Sequence, residues 1–248
     1  MDLELDGRRV MVTGASRGIG KAIAARFVAE GAQVMMCARG RDDLERAASE
    51  IDVDGRATFR TADLGDFDQI DALVDATVDE FGGIDIVVSN VSGFAGRDLA
   101  TAYAVDIAGA DRLIRRSLEH MADHDDANVV CIGSRAGSVG VPWMPAYAAA
   151  KAATVSLVKS MALEVARRGI RVNAVSPGDI EFPGGTWERA RTENPKLFEA
   201  ILKENPFRRL GRPEEVADVV AFVASRRATF MTGTNVLVDG GAARHLKL

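Results

Sequence analysis

The chain has 248 residues, 47% hydrophobic and 27% charged, with 31 Lys and Arg against 36 Asp and Glu for a formal net charge of -5. That acidic balance, with no Lys/Arg cluster interleaved with aromatics, argues against a surface built for nucleic acid or for an anionic membrane. No apolar run approaches the ~20 residues that a spanning helix needs. Cys37 and Cys131 are the only cysteines and sit in apolar stretches, so they predict two small buried hydrophobes rather than a disulfide. The acidic start Met1–Asp6 matches neither a secretion signal nor an Arg-rich transit peptide, and the expected location is cytoplasmic. At this length one large α/β domain over 1–248 is expected.

In chain order, short apolar runs alternate with longer helical periodicities, the pattern of βαβ units around a parallel sheet covered on both faces. Strands are predicted near 8–13, 33–38, 56–61, 84–90, 128–133, 170–175 and 234–238. Helices are predicted near 18–30, 41–51, 66–81, 99–121, 145–168 and 213–224, with an irregular Pro- and Gly-bearing stretch between Pro177 and Arg212. Phe67, Ile70, Leu73, Val74, Thr77, Val78 and Phe81 recur at helical spacing and should pack on the sheet.

Strand Arg8–Val12 runs through Thr13-Gly14-Ala15-Ser16-Arg17-Gly18-Ile19-Gly20 into a helix, which is the context a dinucleotide site requires. The first glycine permits the tight turn, the middle one admits the pyrophosphate to the backbone, and the last lets helix and strand pack closely. The helix N-terminus adds free N–H groups and positive potential. After the second strand there is no acid to hold a free ribose and repel a 2′-phosphate. The sequence there is Cys37-Ala38-Arg39-Gly40-Arg41. Arg39 and Arg17 offer planar, always-charged forks suited to phosphate, so the predicted cofactor is NADP(H). Arg39 could instead cap a loop by pairing with Asp42 or Asp43.

Tyr147 and Lys151 lie four apart in a predicted helix and share a face. An ordinary tyrosine ionises only near pH ~10, and a neighbouring ammonium favours the phenolate, so the pair can give or take a proton. Ser134 closes the strand ending at Gly133 and stands at the carboxyl edge of the sheet, where open α/β sheets bind ligands. Its hydroxyl either holds a substrate oxygen or caps a turn.

Together Thr13 to Gly20, Asp63, Asn90, Ser134, Tyr147, Lys151 and Pro177-Gly178 resemble the short-chain dehydrogenase/reductase family, over essentially the whole chain. The resemblance implies a three-layer, doubly wound Rossmann fold with a seven-stranded parallel sheet. It implies hydride transfer between NADP(H) and a carbonyl or secondary alcohol, with Ser134, Tyr147, Lys151 and Asp106 as the catalytic set. It further implies that Gly14, Ser16, Arg17, Gly18, Ile19 and Gly20 receive the cofactor, with Arg39, Asp63, Leu64 and Asn90. Asp63 would meet adenine, Asn90 would support the strand beside the cofactor, and Lys151 would also bind ribose. Pro177, Gly178 and the Ile180 backbone would contact the nicotinamide amide. Family members usually assemble as homotetramers or homodimers through the helices near 99–121 and 145–168 and the last strand.

The chain departs from the family in several places. Ser89-Asn90-Val91-Ser92 stands where Asn-Asn-Ala-Gly is usual, and Asp106 stands where the fourth catalytic residue is normally Asn. A buried carboxylate there can pair with Lys151 but cannot donate as an amide does. The segment Gly93 to Asp106 is shorter than usual by about a couple of helical turns. Phe182 replaces a common Thr, and with Trp187, Phe198, Phe207, Trp143 and Met144 it could line an apolar pocket under a lid at about 179–212, or simply pack that lid. An alternative activity, 3-oxoacyl-[acyl-carrier-protein] reductase, needs basic residues at the mouth of the site. Arg168 matches one such position, but Met121-Ala122-Asp123-His124-Asp125-Asp126 is acidic where the reductase is usually basic. A non-catalytic NADP(H)-binding sensor is the alternative of another class.

Overall fold

The central apolar runs become strands buried on both sides, while the runs at the two edges of the sheet are only part-buried. In the computed structural model, which describes residues 1–122 and 127–244, they are β1 (Arg9–Thr13), β2 (Gln33–Ala38), β3 (Ala57–Thr61), β4 (Ile86–Ser89), β5 (Asn128–Ile132), β6 (Arg171–Pro177) and β7 (Asn235–Val238). They form one sheet in the order β3-β2-β1-β4-β5-β6-β7, and every neighbouring pair is parallel. Successive residues alternate between faces. Val10, Val12, Val34, Met36, Val88 and Val130 join one core, and Met11, Met35, Val87, Val129, Cys131 and Val172 join the other.

The helices in chain order are α1 (Gly18–Ala29), α2 (Arg41–Ile51), α3 (Phe67–Phe81), α4 (Leu99–Thr101), α5 (Ala110–Leu118), α6 (Pro145–Val165), α7 (Thr186–Glu193), α8 (Pro195–Glu204) and α9 (Pro213–Ala224). Residues of α1, α2 and α9, among them Phe27, Leu44 and Val220, complete the first core; residues of α3, α5 and α6, among them Leu73, Leu113 and Met161, complete the second. Local chemistry sets the ends of α3: the Asp66 carboxylate accepts N–H bonds from Asp68 and Gln69 at its start, and Gly82 takes φ 76° at its end. Cys37 and Cys131 are free and buried as expected, and burial pushes both thiols up to about 12.

Two expectations are corrected. The helix expected over 99–121 ends at Leu118, and Ala102–Gly109, between α4 and α5, winds as a wider π-helix. Ala102, Asp106 and Gly109 are the buried residues of that segment, so its inner side carries a carboxylate and a bare backbone rather than a regular apolar stripe. The stretch expected to be irregular after Pro177 contains α7 and α8. Their patterns are faint because each is short and buries few residues, Ala190 in α7 and Phe198 and Ile201 in α8. Parallel pairing of Ile180 with Gly211 closes the base of this segment.

The chain steps outward from β1 to β3 and then returns beside β1 with β4, so a crevice opens between the carboxyl ends of β1 and β4. On the β4 side of that crevice, a Cβ at Gly109 would lie 1.9 Å from the carbonyl oxygen of Leu64. Gly109→Ala is therefore expected to destabilise the fold by about 1–3 kcal/mol through overpacking. Gly140→Ala, whose added methyl meets nothing within 4 Å, should change stability by less than about 0.5 kcal/mol. Urea unfolding of both variants checks this.

Candidate active site

The glycine turn sits in the crevice. Gly14 and Gly18 have φ 64° and 56°, the left-handed region that glycine adopts without strain. At Gly20 the constraint is space: a Cβ would lie 2.1 Å from the Gly14 carbonyl oxygen and 2.5 Å from the Asn90 amide. Asn90 ties the two strands together, its side-chain amide donating to the carbonyls of Thr13 (2.9 Å) and Gly14 (3.2 Å), while its backbone N–H donates to the Thr13 hydroxyl (3.0 Å). No side chain caps α1, so the N–H groups of Gly18 and Ile19 carry the positive end of the helix without a side-chain acceptor, beside half-buried Ser16. That is the donor set a diphosphate needs, and the residues present fit a dinucleotide.

Arg39 is exposed at the end of β2 and among the described residues has no ion pair; Asp43 pairs with Arg46 instead. Arg17 is exposed and reaches the Gly184 carbonyl at 3.5 Å. Asp63 is half-buried, and one carboxylate oxygen accepts the Gly65 N–H (2.9 Å); Leu64 beside it is buried. Gly178 donates its N–H to Val238 and lies so close to Asp239 that a Cβ would meet that residue's Cα at 2.8 Å. Pro177 ends β6, and Ile180 is buried where its backbone pairs with Gly211.

The proton-bearing residues converge on α6, which Pro145 opens without a side-chain cap. Tyr147 is half-buried and Lys151 is buried one turn on. The Lys151 Nζ donates to the Ile132 carbonyl (3.2 Å), lies 3.2 Å from Asp106 Oδ1 and stands 5.7 Å from the centre of the Tyr147 ring. Asp106 Oδ2 accepts the Gly93 N–H (2.9 Å), whereas Oδ1 is buried and receives no aligned hydrogen bond, so its attraction to Lys151 is chiefly Coulombic. Ser134 is half-buried two residues past Ile132, and its hydroxyl oxygen accepts the Ala136 N–H at 3.1 Å. This is the turn cap foreseen for it; the hydroxyl hydrogen is left to donate elsewhere. The turn after Ser134 lies against α6, since a Cβ at Gly137 would come within 2.7 Å of the Lys151 backbone.

Two features carried no signal in the sequence. Arg135 pairs with Asp179 at 3.0 Å across the cleft. Burial pushes the Asp179 carboxyl above the usual range, Arg135 draws it back in part, and Glu204 adds to the rise. Phe94 makes an edge contact with Tyr147, ring centres 5.2 Å apart at 63°.

The expected aromatic pocket does not form as one unit. Phe198 packs with Ile201, Leu210 and Trp187 in a small core of the 179–212 segment, and Phe182 lies on the glycine turn, 2.8 Å from where a Gly18 Cβ would be. Trp143 and Phe207 are exposed. A cavity of about 290 Å³ lies between this segment and β7, lined by Asn205, Phe207 and Leu237 among others; it shares Asp179 and Ile180 with the site and excludes Ser134, Tyr147 and Lys151. Arg168 donates to the carbonyls of Leu118 and Met121, both at 3.0 Å, and so closes the end of α5. Most of the acidic stretch at 121–126 lies outside the described residues.

Comparison with known proteins bears on this arrangement. Residues 14–243 match the family model described as enoyl-(acyl carrier protein) reductase. Isoepoxydon dehydrogenase patN of Penicillium expansum is 33% identical, covering 96% of this chain and 95% of its own length. The 3-oxoacyl-[acyl-carrier-protein] reductase FabG of Vibrio cholerae is 34% identical, with 96% and 98% covered. Among solved structures, L-sorbose reductase of Gluconobacter frateurii with NADPH and L-sorbose superposes with a TM-score of 0.91 at 29% identity, covering 99% of this chain and all of that one. A single-residue variant of actinorhodin polyketide ketoreductase with NADPH gives 0.88 at 31%, covering 97% and 99%.

Asp106→Ala would strand the Lys151 ammonium in the interior and is expected to cost about 3–5 kcal/mol. Joint replacement, Asp106→Leu with Lys151→Met, should recover most of that loss, and a double-mutant cycle by denaturant unfolding measures it.

Proposed function

The chain belongs to the short-chain dehydrogenase/reductase family, and on that footing we propose that it is an NADP(H)-dependent oxidoreductase acting on an apolar carbonyl or secondary alcohol. The observation that carries this reading is the buried Lys151 ammonium, held between Asp106 and the Ile132 carbonyl one turn from Tyr147. When bound, the nicotinamide supplies or accepts the hydride. Tyr147 gives its phenolic proton to the substrate oxygen in reduction and takes it back in oxidation. Lys151 stabilises the phenolate between those events, and its fixed position removes reorganisation from the step. The free Ser134 hydroxyl hydrogen points the same substrate oxygen toward Tyr147. Asp106 acts through Lys151, as a counter-ion and anchor.

Gly14, Ser16, Arg17, Gly18, Ile19 and Gly20 receive the diphosphate in this proposal, Asp63 and Leu64 flank adenine, and Asn90, Pro177, Gly178 and Ile180 shape the nicotinamide end. Arg39 selects NADP(H), supported by its lack of an ion-pair partner among the described residues and by the NADPH bound in the L-sorbose reductase and polyketide ketoreductase neighbours. The segment 179–212 covers the substrate. Reduction of an acyl-carrier thioester is the less favoured activity, because Arg168 is engaged with the end of α5. A binding-only sensor is disfavoured because it has no use for a proton donor beside a buried lysine.

Exposed Leu99 and Tyr103 near α4 and Leu163 on α6 support assembly through these helices. Leu163→Glu should then lower the mass seen by light scattering.

Tyr147→Phe should reduce NADPH-dependent ketone turnover by about 10²- to 10⁴-fold while NADPH still binds. Tight binding of NADPH without turnover of any ketone in the unmodified protein would favour the sensor. Arg39→Ala should weaken NADPH by about 10-fold and leave NADH nearly unchanged, as fluorescence titration would report.

A further inference from the structure

Phe94 has φ 45°, a left-handed backbone that a bulky residue rarely adopts. Glycine would relieve the strain, so an aromatic retained here answers to its side chain. The loop is tied on both sides to the helices that carry the proton chemistry. The Phe94 N–H donates to the Ser92 hydroxyl (3.0 Å), and the Gly93 N–H donates to Asp106 (2.9 Å). The Gly96 carbonyl accepts the Ala146 N–H at 3.1 Å, and Arg97 donates to the Pro142 carbonyl at 3.3 Å. These bonds place the ring at one spot, edge to face with Tyr147.

Phe94 is nevertheless 52% exposed. Its backbone is strained and much of its ring gains nothing from burial within the chain. An edge-to-face pair leaves part of an apolar ring open beside the Tyr147 ring, and such surfaces favour flat partners, in stacked or edge-on contact.

We propose that Phe94 is a specificity-determining residue, its ring forming the wall of the substrate cleft beside Tyr147 and selecting substrates in which a flat ring adjoins the reacting carbon. This rests on the reading of Tyr147 as the proton donor. Because the loop is short and anchored at Asp106 and Ala146, the wall is built into the resting fold.

The test compares acetophenone with 2-octanone, ketones of equal carbon number, on the unmodified protein and on Phe94→Gly and Phe94→Tyr. Ketone binding is followed by saturation-transfer NMR with NADP present, kcat and KM by NADPH oxidation, and folding by thermal melting. The unmodified protein should prefer acetophenone by about 10-fold or more. Phe94→Gly, which keeps the backbone conformation at ease, should bring the preference to within about 2-fold by raising Kd and KM for acetophenone, and Phe94→Tyr should retain it. Equal losses on both ketones confined to kcat would show that the ring serves Tyr147 alone and would overturn the proposal, as would the absence of any preference in the unmodified protein. If no ketone is turned over, the oxidoreductase reading fails, and the binding comparison still decides the role of Phe94.

Discussion

Burying the ammonium of Lys151 is the constraint on which the arrangement of the site depends. An isolated cation is too costly to leave in the interior, so three parts of the chain must meet around this one. The Ile132 carbonyl comes from β5, Asp106 from the π-wound segment, and the lysine from α6. Asp106 in turn takes the Gly93 N–H. The loop after β4, the π segment and α6 are thereby fixed relative to one another, and Tyr147 inherits that position from the helix it shares with Lys151. A carboxylate where the family usually has Asn makes this a charged anchor rather than an amide contact, so loss of either partner leaves a bare charge in the interior.

The second organising feature is the return of the chain from β3 to β4 beside β1. It opens the crevice, and Asn90 closes its floor by binding the carbonyls of Thr13 and Gly14. Because Gly20 sits against that same Gly14 carbonyl, α1 can present its uncapped N-terminus only where no side chain intervenes. Phe182 then lies on Gly18, an apolar ring over a turn whose N–H groups suit an anion. The same stretch is linked to the turn after β5 by the Arg135–Asp179 pair and to the glycine turn by Arg17, so the 179–212 segment is fastened at the two ends of the candidate site. Its own small core of Phe198, Ile201 and Leu210 lets it hold its shape away from the sheet.

Two buried or half-buried arginines elsewhere are held by acceptors in a comparable way. Arg171, buried at the start of β6, donates to the carbonyls of Val223 and Ser225 where α9 ends, meeting acceptors that a helix terminus leaves open. Arg9 and Asp85 join β1 to the start of β4 at the amino edge, with the Arg9 Nε 2.9 Å from the carboxylate. An ion pair thus secures the amino edge opposite the site, as the Lys151–Asp106 and Arg135–Asp179 pairs do at the carboxyl edge.

The sequence by itself determined the class of fold and the number of strands, and it singled out the glycine turn and the Tyr147–Lys151 pair as candidates for the nucleotide and proton-transfer ends. It could do so because continuous apolar runs, the glycine spacing and the Tyr147–Lys151 interval are local properties of the chain. It also showed the absence of an acid after β2, which is a matter of composition at one position. The π winding at Asp106, the helices α7 and α8, the separate packing of Phe182 and Phe198, and the Tyr147–Phe94 contact were decided only by the tertiary structure. Each depends on what a segment meets from elsewhere in the chain: a lysine 45 positions after Asp106, a glycine turn at the far end of the sequence, a helix ring against a loop ring. No local period encodes those meetings, since the energy that selects them is burial and charge pairing between residues distant in sequence.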